Sequence, residues 1–200
     1  LGLPLSPDYG GFGGGAVDLM GVMEAFGEAL VVEPYLPTVA LGARLVARAG
    51  SEAQRKALLP AVAQGELKLA FAHAEAGARF DLAHVNAKAA QAGAGWKLEG
   101  EKKIVLGAPL ADRLVVSART AKGISLFLVA CSDAVIEPYV TLDGMRAGDV
   151  VLAGAAAELL GEEGAALPLI EEVVDFATAL GCAEAVGAIK YANEATLEYL

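Results

Sequence analysis

The sequence has little cysteine, little positive charge and no long uninterrupted apolar run. Its two cysteines, Cys131 and Cys182, form no C-x-x-C pair, and no histidine stands beside either. That usage fits a reducing compartment and excludes a disulfide-stapled scaffold. Fifteen Lys and Arg against 25 Asp and Glu leave a formal charge of -10. Without a basic stripe to release counterions, nucleic acid is excluded as a partner class. Charges at Asp18, Arg44, Glu171, Glu172 and Asp175 interrupt the apolar stretches. None reaches the roughly 18 to 20 residues of a membrane span, so no membrane insertion is expected. A basic segment followed by an apolar core and a cleavage site is missing from the start, which points to a cytoplasmic rather than a secreted chain. Leu200 falls inside a helical pattern, as in a piece of a longer protein.

What is present is a globular composition: 56% hydrophobic residues over 200 positions, with 24 glycines. A chain of this length buries roughly 70% of the surface its unfolded form exposes, so folding needs no metal or crosslink. Ala16 to Leu30 reads as a helix, with Val17, Met20, Met23, Gly27 and Leu30 at three- and four-residue spacings. Pro34 and Pro37 break it, and a second helical stretch follows from Thr38 to Ala49. Ser51 and Gln54 form a capping box for a third, which Gly65 ends.

From Leu67 the period becomes alternating, through Leu69, Phe71, Val85, Trp96, Leu98, Leu114, Val116, Ile124, Leu126, Leu128, Val135, Val140 and Val151. Turn chemistry recurs at Gly93 to Gly95, Gly100, Gly107 to Pro109, Lys122-Gly123 and Asp143-Gly144. No helix separates the strands, so the expectation is an antiparallel barrel or sandwich. After Gly164 a long alanine-rich helix runs to Leu200. The fold class is therefore α+β, with an N-terminal helical domain over 1–66, a middle β domain over 67–163 and the start of a C-terminal helical domain over 164–200.

Gly11 to Ala16 formally satisfies G-x-G-x-x-A, a dinucleotide fingerprint. Leu3-Pro4-Leu5-Ser6-Pro7 precedes it and cannot be a central parallel strand, so the glycines read as a structural loop entering a helix. His73 and His84 lie eleven residues apart with no third ligand in register, and no metal site is expected. His73 is a strand histidine or a candidate base. Glu75 and Asp81 flank a glycine-containing bend, as general acid or base or, more simply, as turn carboxylates holding backbone N–H groups. No Ser, Cys or Lys nucleophile with a paired His is visible.

Pro7-Asp8-Tyr9-Gly10-Gly11-Phe12-Gly13, Met23-Glu24-Ala25-Phe26-Gly27, Gly50 to Gly65, Gly95 to Lys102, Ala111-Asp112 and Leu160-Gly161-Glu162-Glu163-Gly164 together resemble the acyl-CoA dehydrogenase family. No single match is decisive, but their order and spacing are specific. The likeness is greatest to the small subunits of bacterial pimeloyl-CoA dehydrogenase-type enzymes. It implies N-terminal helices, a middle β-barrel domain and a C-terminal bundle, with both ends absent. Phe71, Ala72, His73 and Ala74 occupy the place of the segment lying along the flavin, and Ile104, Val105 and Leu106 that of the second flavin-contacting strand. Phe80, Thr120 and Asp175 would then meet substrate. Ala74 stands where the family carries threonine, Ile104 where it carries an aromatic ring, and Leu106 where another threonine would sit.

The implied activity is FAD-dependent α,β-dehydrogenation of an acyl-CoA to the trans-2-enoyl-CoA, with electron-transfer flavoprotein as electron acceptor. The alternative is a non-catalytic structural subunit of a heteromeric dehydrogenase. No catalytic residue is assigned within the chain, because the usual glutamate lies beyond Leu200. A homo- or hetero-oligomer, dimer or tetramer, is expected.

Overall fold

The computed structural model describes residues 1–200. Helix α1 (Ala16–Glu28) starts where Gly15 donates its N–H to the Asp18 carboxylate at 2.7 Å. The glycine loop before it packs on itself: a Cβ on Gly11 would lie 2.1 Å from the Leu5 carbonyl oxygen. A structural loop, not a strand-to-helix phosphate turn, is what the proline-rich approach dictates.

The second helical stretch begins earlier than its prolines suggested. A π-helical run (Leu36–Ala43) continues directly into α2 (Arg44–Ala49), with Pro37 in the first turn. Proline is tolerated there because N–H groups of a first turn have no intrahelical partner. Helix α3 (Glu52–Gln64) carries the expected capping box, Ser51 and Gln54 satisfying each other's backbone N–H groups at 2.9 and 3.2 Å, and ends on left-handed Gly65.

Seven strands follow: β1 (Leu69–Ala72), β2 (Lys88–Ala92), β3 (Gly95–Leu106), β4 (Arg113–Thr120), β5 (Gly123–Ala130), β6 (Val135–Val140) and β7 (Arg146–Leu160). Pairing runs β4, β2, β3, β7, β5 and back to β4, which closes a barrel; β1 adds beside β4 and β6 beside β7. The expectation of purely antiparallel pairing is corrected in two places: β2 meets β4 in parallel at Lys88 and Arg119, and β1 does so along its whole length. β1 runs parallel to β4, Leu69 facing Arg113 and Ala72 facing Val116. The β2–β3 hairpin supplies the long return that parallel strands require, so no helix is needed. Gly100 is not a turn but a strand residue at φ 139°, where the chain at Ala87 crosses so closely that a Cβ would lie 2.8 Å from its Cα.

Alternation sorts the strand side chains into two cores. Leu98, Leu114, Val116, Phe127, Val129 and Leu152 fill the barrel. Phe71, Val115, Leu126 and Leu128 face the other way, onto Leu45, Leu59, Val62, Ile170 and Val173 of the helices. Helix α4 (Leu167–Tyr199) crosses this layer and packs on α1. The crossing is set by a reciprocal glycine contact. A Cβ on Gly27 would lie 1.8 Å from the Glu184 carbonyl oxygen, and one on Gly187 would lie 1.8 Å from that of Glu24. Glu172 accepts from Arg48 at 2.6 and 2.9 Å and from Arg44 at 3.3 Å, tying α4 to α2.

Gly187→Ala should therefore force the two helices apart and destabilise the fold by about 1 to 3 kcal/mol, as overpacking does. Thermal unfolding reads this as a Tm lowered by several degrees; an unchanged Tm would contradict the close crossing.

Candidate functional site

A cavity of about 550 Å³ opens where the ends of β1 and β3 meet the helical layer. This is within the size range of small-molecule sites. Phe71, His73 and Ala74 form one wall and Lys103, Ile104 and Leu106 another, while α4 contributes Val174, Ala177, Thr178, Gly181, Cys182 and Ala185. Helical spacing puts those six α4 positions on one stripe. Leu36 and Leu41 close the far side. The lining is mostly apolar, and no Asp or Glu belongs to it.

Local structure explains how each wall is aimed. Strand β1 stops at Ala72. Beyond it the Ala74 carbonyl accepts the Lys103 N–H at 2.8 Å, while the Ala74 N–H finds no acceptor within the protein. Strand β3 bulges between Lys102 and Val105, and Ile104 sits at φ 53°. Positive φ is unusual for a β-branched residue and costs about 1 to 3 kcal/mol. Asp149 holds the bulge: its carboxylate accepts the Ile104 N–H at 3.1 Å, the Lys103 ammonium at 3.0 Å and the Tyr139 hydroxyl at 3.0 Å. The Ile104 amide and Lys103 together keep its carboxyl below the usual carboxylate range. The result leaves Ile104 62% exposed, on the cavity wall.

Behind these walls lies a buried polar network. Lys102 is 0% exposed. Its ammonium donates to Glu75 Oε1 at 2.7 Å, to Ser117 Oγ at 3.1 Å and to the His73 carbonyl oxygen at 3.2 Å. Glu75 also accepts the N–H groups of Asn86 at 2.6 Å and Ala87 at 3.0 Å. Burial pushes the Glu75 carboxyl up, but these donors outweigh it and hold it below its usual range. Burial pulls Lys102 down to about 8, with Glu75 opposing. His73 stacks on Phe71 at 5.2 Å between ring centroids, and its Nδ1 lies 2.8 Å from Ser117 Oγ. Burial, reinforced by the Lys102 charge, lowers its pKa to about 4.

Of the positions singled out in the sequence, Phe71, His73, Ala74, Ile104 and Leu106 come together on the cavity. Ala72 and Val105 do not. Each is turned by strand alternation into the barrel core, 0% and 1% exposed. Phe80 is 98% exposed on the loop after Glu75. Thr120 closes the β4–β5 turn, where its Oγ1 accepts the Lys122 N–H at 3.1 Å and donates to the Gly123 carbonyl at 3.3 Å. Asp175 is exposed on α4 beside the lining stripe rather than in it. Glu75 is a holder of backbone N–H groups, as its simpler reading had it. Sequence reasoning missed Lys102, Ser117 and Asp149. For Lys102 a signal existed, since it continues the Leu98, Gly100 register of β3 two residues on.

Comparison with known proteins places this geometry. The family models described as the acyl-CoA dehydrogenase N-terminal domain and middle domain match residues 1–66 and 70–153. The acyl-CoA dehydrogenase FadE12 of Mycobacterium tuberculosis is 29% identical over the whole chain, which covers 55% of that protein. The L-prolyl-[peptidyl-carrier protein] dehydrogenase of Pseudomonas fluorescens is 31% identical, again over the whole chain and 57% of that protein. A solved structure described as a variant of the Tcur3481-Tcur3483 steroid ACAD superposes with a TM-score of 0.88 at 31% identity, covering 100% of this chain and 54% of that one. The chain thus spans about half the length of the curated relatives it matches. No helix is long and apolar enough to cross a membrane.

The buried ring makes a pH prediction. The His73 imidazole should titrate near 4 rather than at its ordinary 6.5. As pH falls between those values, the unfolded chain takes up a proton that the folded one refuses, so folded stability drops through that window. Imidazole NMR against pH reads the midpoint; titration near 6.5 would mean a solvated ring.

Proposed function

Because the chain belongs to the acyl-CoA dehydrogenase family, we propose that its cavity is the flavin and acyl-thioester site of an FAD-dependent acyl-CoA dehydrogenase. The observation that carries the reading is the open slot between the strand ends bearing Ala74 and Ile104 and the face of α4. A planar tricyclic ring needs flat apolar walls and main-chain groups at its polar rim. Phe71, Ile104, Leu106 and Ala177 supply the walls, and the unpaired Ala74 N–H supplies a donor at the edge. The residues present therefore fit the ring, even though Ala74, Ile104 and Leu106 bring neither hydroxyl nor aromatic side chain.

FAD, when bound, supplies the two-electron acceptor. The chain's own residues exclude water and orient the reactants. The α4 stripe facing the strand ends is apolar apart from Cys182 and Thr178, whose hydroxyl donates to the Val174 carbonyl at 2.8 Å. Abstraction of the α-proton falls to a base outside residues 1–200. No carboxylate lines the cavity, and an imidazole whose pKa is about 4 is too weak a base near neutral pH. Acyl-CoA as substrate, electron-transfer flavoprotein as electron acceptor, and assembly with further copies or an unequal partner belong to the same proposal.

Purified full-length protein should show flavin absorption bands that bleach when an acyl-CoA is added without oxygen. Ile104→Asp, which puts a charge into an apolar slot, should weaken FAD binding by about tenfold or more. A colourless protein that takes up no added FAD would contradict the reading.

A further inference from the structure

Donor and acceptor accounting around Lys102 leaves one arrangement. An ammonium has three N–H donors and no acceptor, and Lys102 meets three acceptors: Glu75 Oε1, Ser117 Oγ and the His73 carbonyl oxygen, at 2.7, 3.1 and 3.2 Å. Ser117 is thus an acceptor toward Lys102. Its single hydrogen must go elsewhere, and its one other hydrogen-bond neighbour is His73 Nδ1 at 2.8 Å. Ser117 is 0% exposed, so no solvent takes that hydrogen. A ring protonated on Nδ1 would leave the hydroxyl as a buried donor without an acceptor, a situation folded proteins avoid. Nδ1 accepts, and the ring proton sits on Nε2.

The same ammonium also acts on the main chain. The peptide joining His73 to Ala74 is planar and trans, so its N–H points opposite to its C=O. Lys102 holds that carbonyl on the buried side. The Ala74 N–H is therefore turned away from the network, and Ala74 lies on the cavity wall. On the other side of Ala74, its own carbonyl is pinned by the Lys103 N–H at 2.8 Å.

We propose that Lys102 is a positioning residue: through Ser117 it fixes His73 as the neutral Nε2–H tautomer, and through the His73 carbonyl it turns the Ala74 N–H toward the cavity. The inference deepens the proposed function and rests on it only for what that N–H would meet, the polar rim of the flavin. It also denies His73 the role of proton acceptor, since one ring nitrogen is engaged and the other already carries hydrogen. Main-chain geometry, set from behind by a buried cation, stands in for the hydroxyl that Ala74 lacks.

The test uses full-length protein carrying 15N-labelled histidine, with two-bond proton–nitrogen NMR assigning the His73 signals by their loss in His73→Gln. The wild type should show a protonated Nε2 and an unprotonated, accepting Nδ1. Ser117→Ala removes one hydroxyl, leaves the Lys102–Glu75 pair intact, and should move the Nδ1 resonance to that of a nitrogen that has lost its hydroxyl donor. An Nδ1–H wild type, or a Ser117→Ala spectrum unchanged from wild type, would overturn the relay. Lys102→Gln should weaken FAD binding at least tenfold; wild-type affinity in a folded Lys102→Gln protein would overturn the main-chain half. A protein with the Nε2–H tautomer that binds no FAD would keep the relay and remove the flavin reading instead.

Discussion

The ion pair between Lys102 and Glu75 is the constraint on which the site depends. Its two side chains are 0% and 5% exposed. Taking such charges out of water costs several kcal/mol per ion, and a buried pair is weak evidence for net stability. Its contribution here is location. One ammonium ties β3 to the end of β1 and to Ser117 on β4, while the Glu75 carboxylate gathers the amides of Asn86 and Ala87 on the way into β2. Loss of either partner would leave an uncompensated buried charge, so the strand ends and the loop are held as one unit.

A second constraint acts across the cavity. The bulge at Ile104 is an unfavourable backbone conformation held by three donors converging on Asp149. Together the two devices aim opposite walls: Lys102 orients the main chain at Ala74, and Asp149 places Ile104. Neither Ala74 nor Ile104 has a polar side chain. The specificity of the slot therefore lies in backbone direction and apolar shape, which is why the side-chain departures from the family pattern at positions 74, 104 and 106 leave the slot open.

Much of the architecture was legible in the sequence, because local physics fixes it. The Ser51–Gln54 capping box, the left-handed Gly65, the prolines that disqualify the glycine loop as a phosphate site, and the strand alternation all act within a few residues. What was not legible depends on distant pairing. Nothing local says that β1 lies parallel to β4, and it is that register that brings Ser117 beside His73. Alternation also explains why Ala72 and Val105 face the barrel core: a resemblance carried over as a continuous stretch ignores that neighbouring strand residues point to opposite sides. Lys102 follows the inward register of β3, but a lysine in a strand is usually solvated, and only the fold shows Glu75 and Ser117 waiting for its ammonium. Asp149 escaped for the same reason, being 45 residues from the amide it holds.

The cavity edge is preformed by main chain, with the Lys103 N–H paired to the Ala74 carbonyl and the Ala74 N–H without an acceptor in the protein. Amide hydrogen exchange on the full-length protein, freed of FAD and then reloaded, tests this directly. The Lys103 amide should exchange slowly in both states, while the Ala74 amide should exchange fast without FAD and become protected with it. An Ala74 amide already protected without FAD, or unaffected by its addition, would contradict the account.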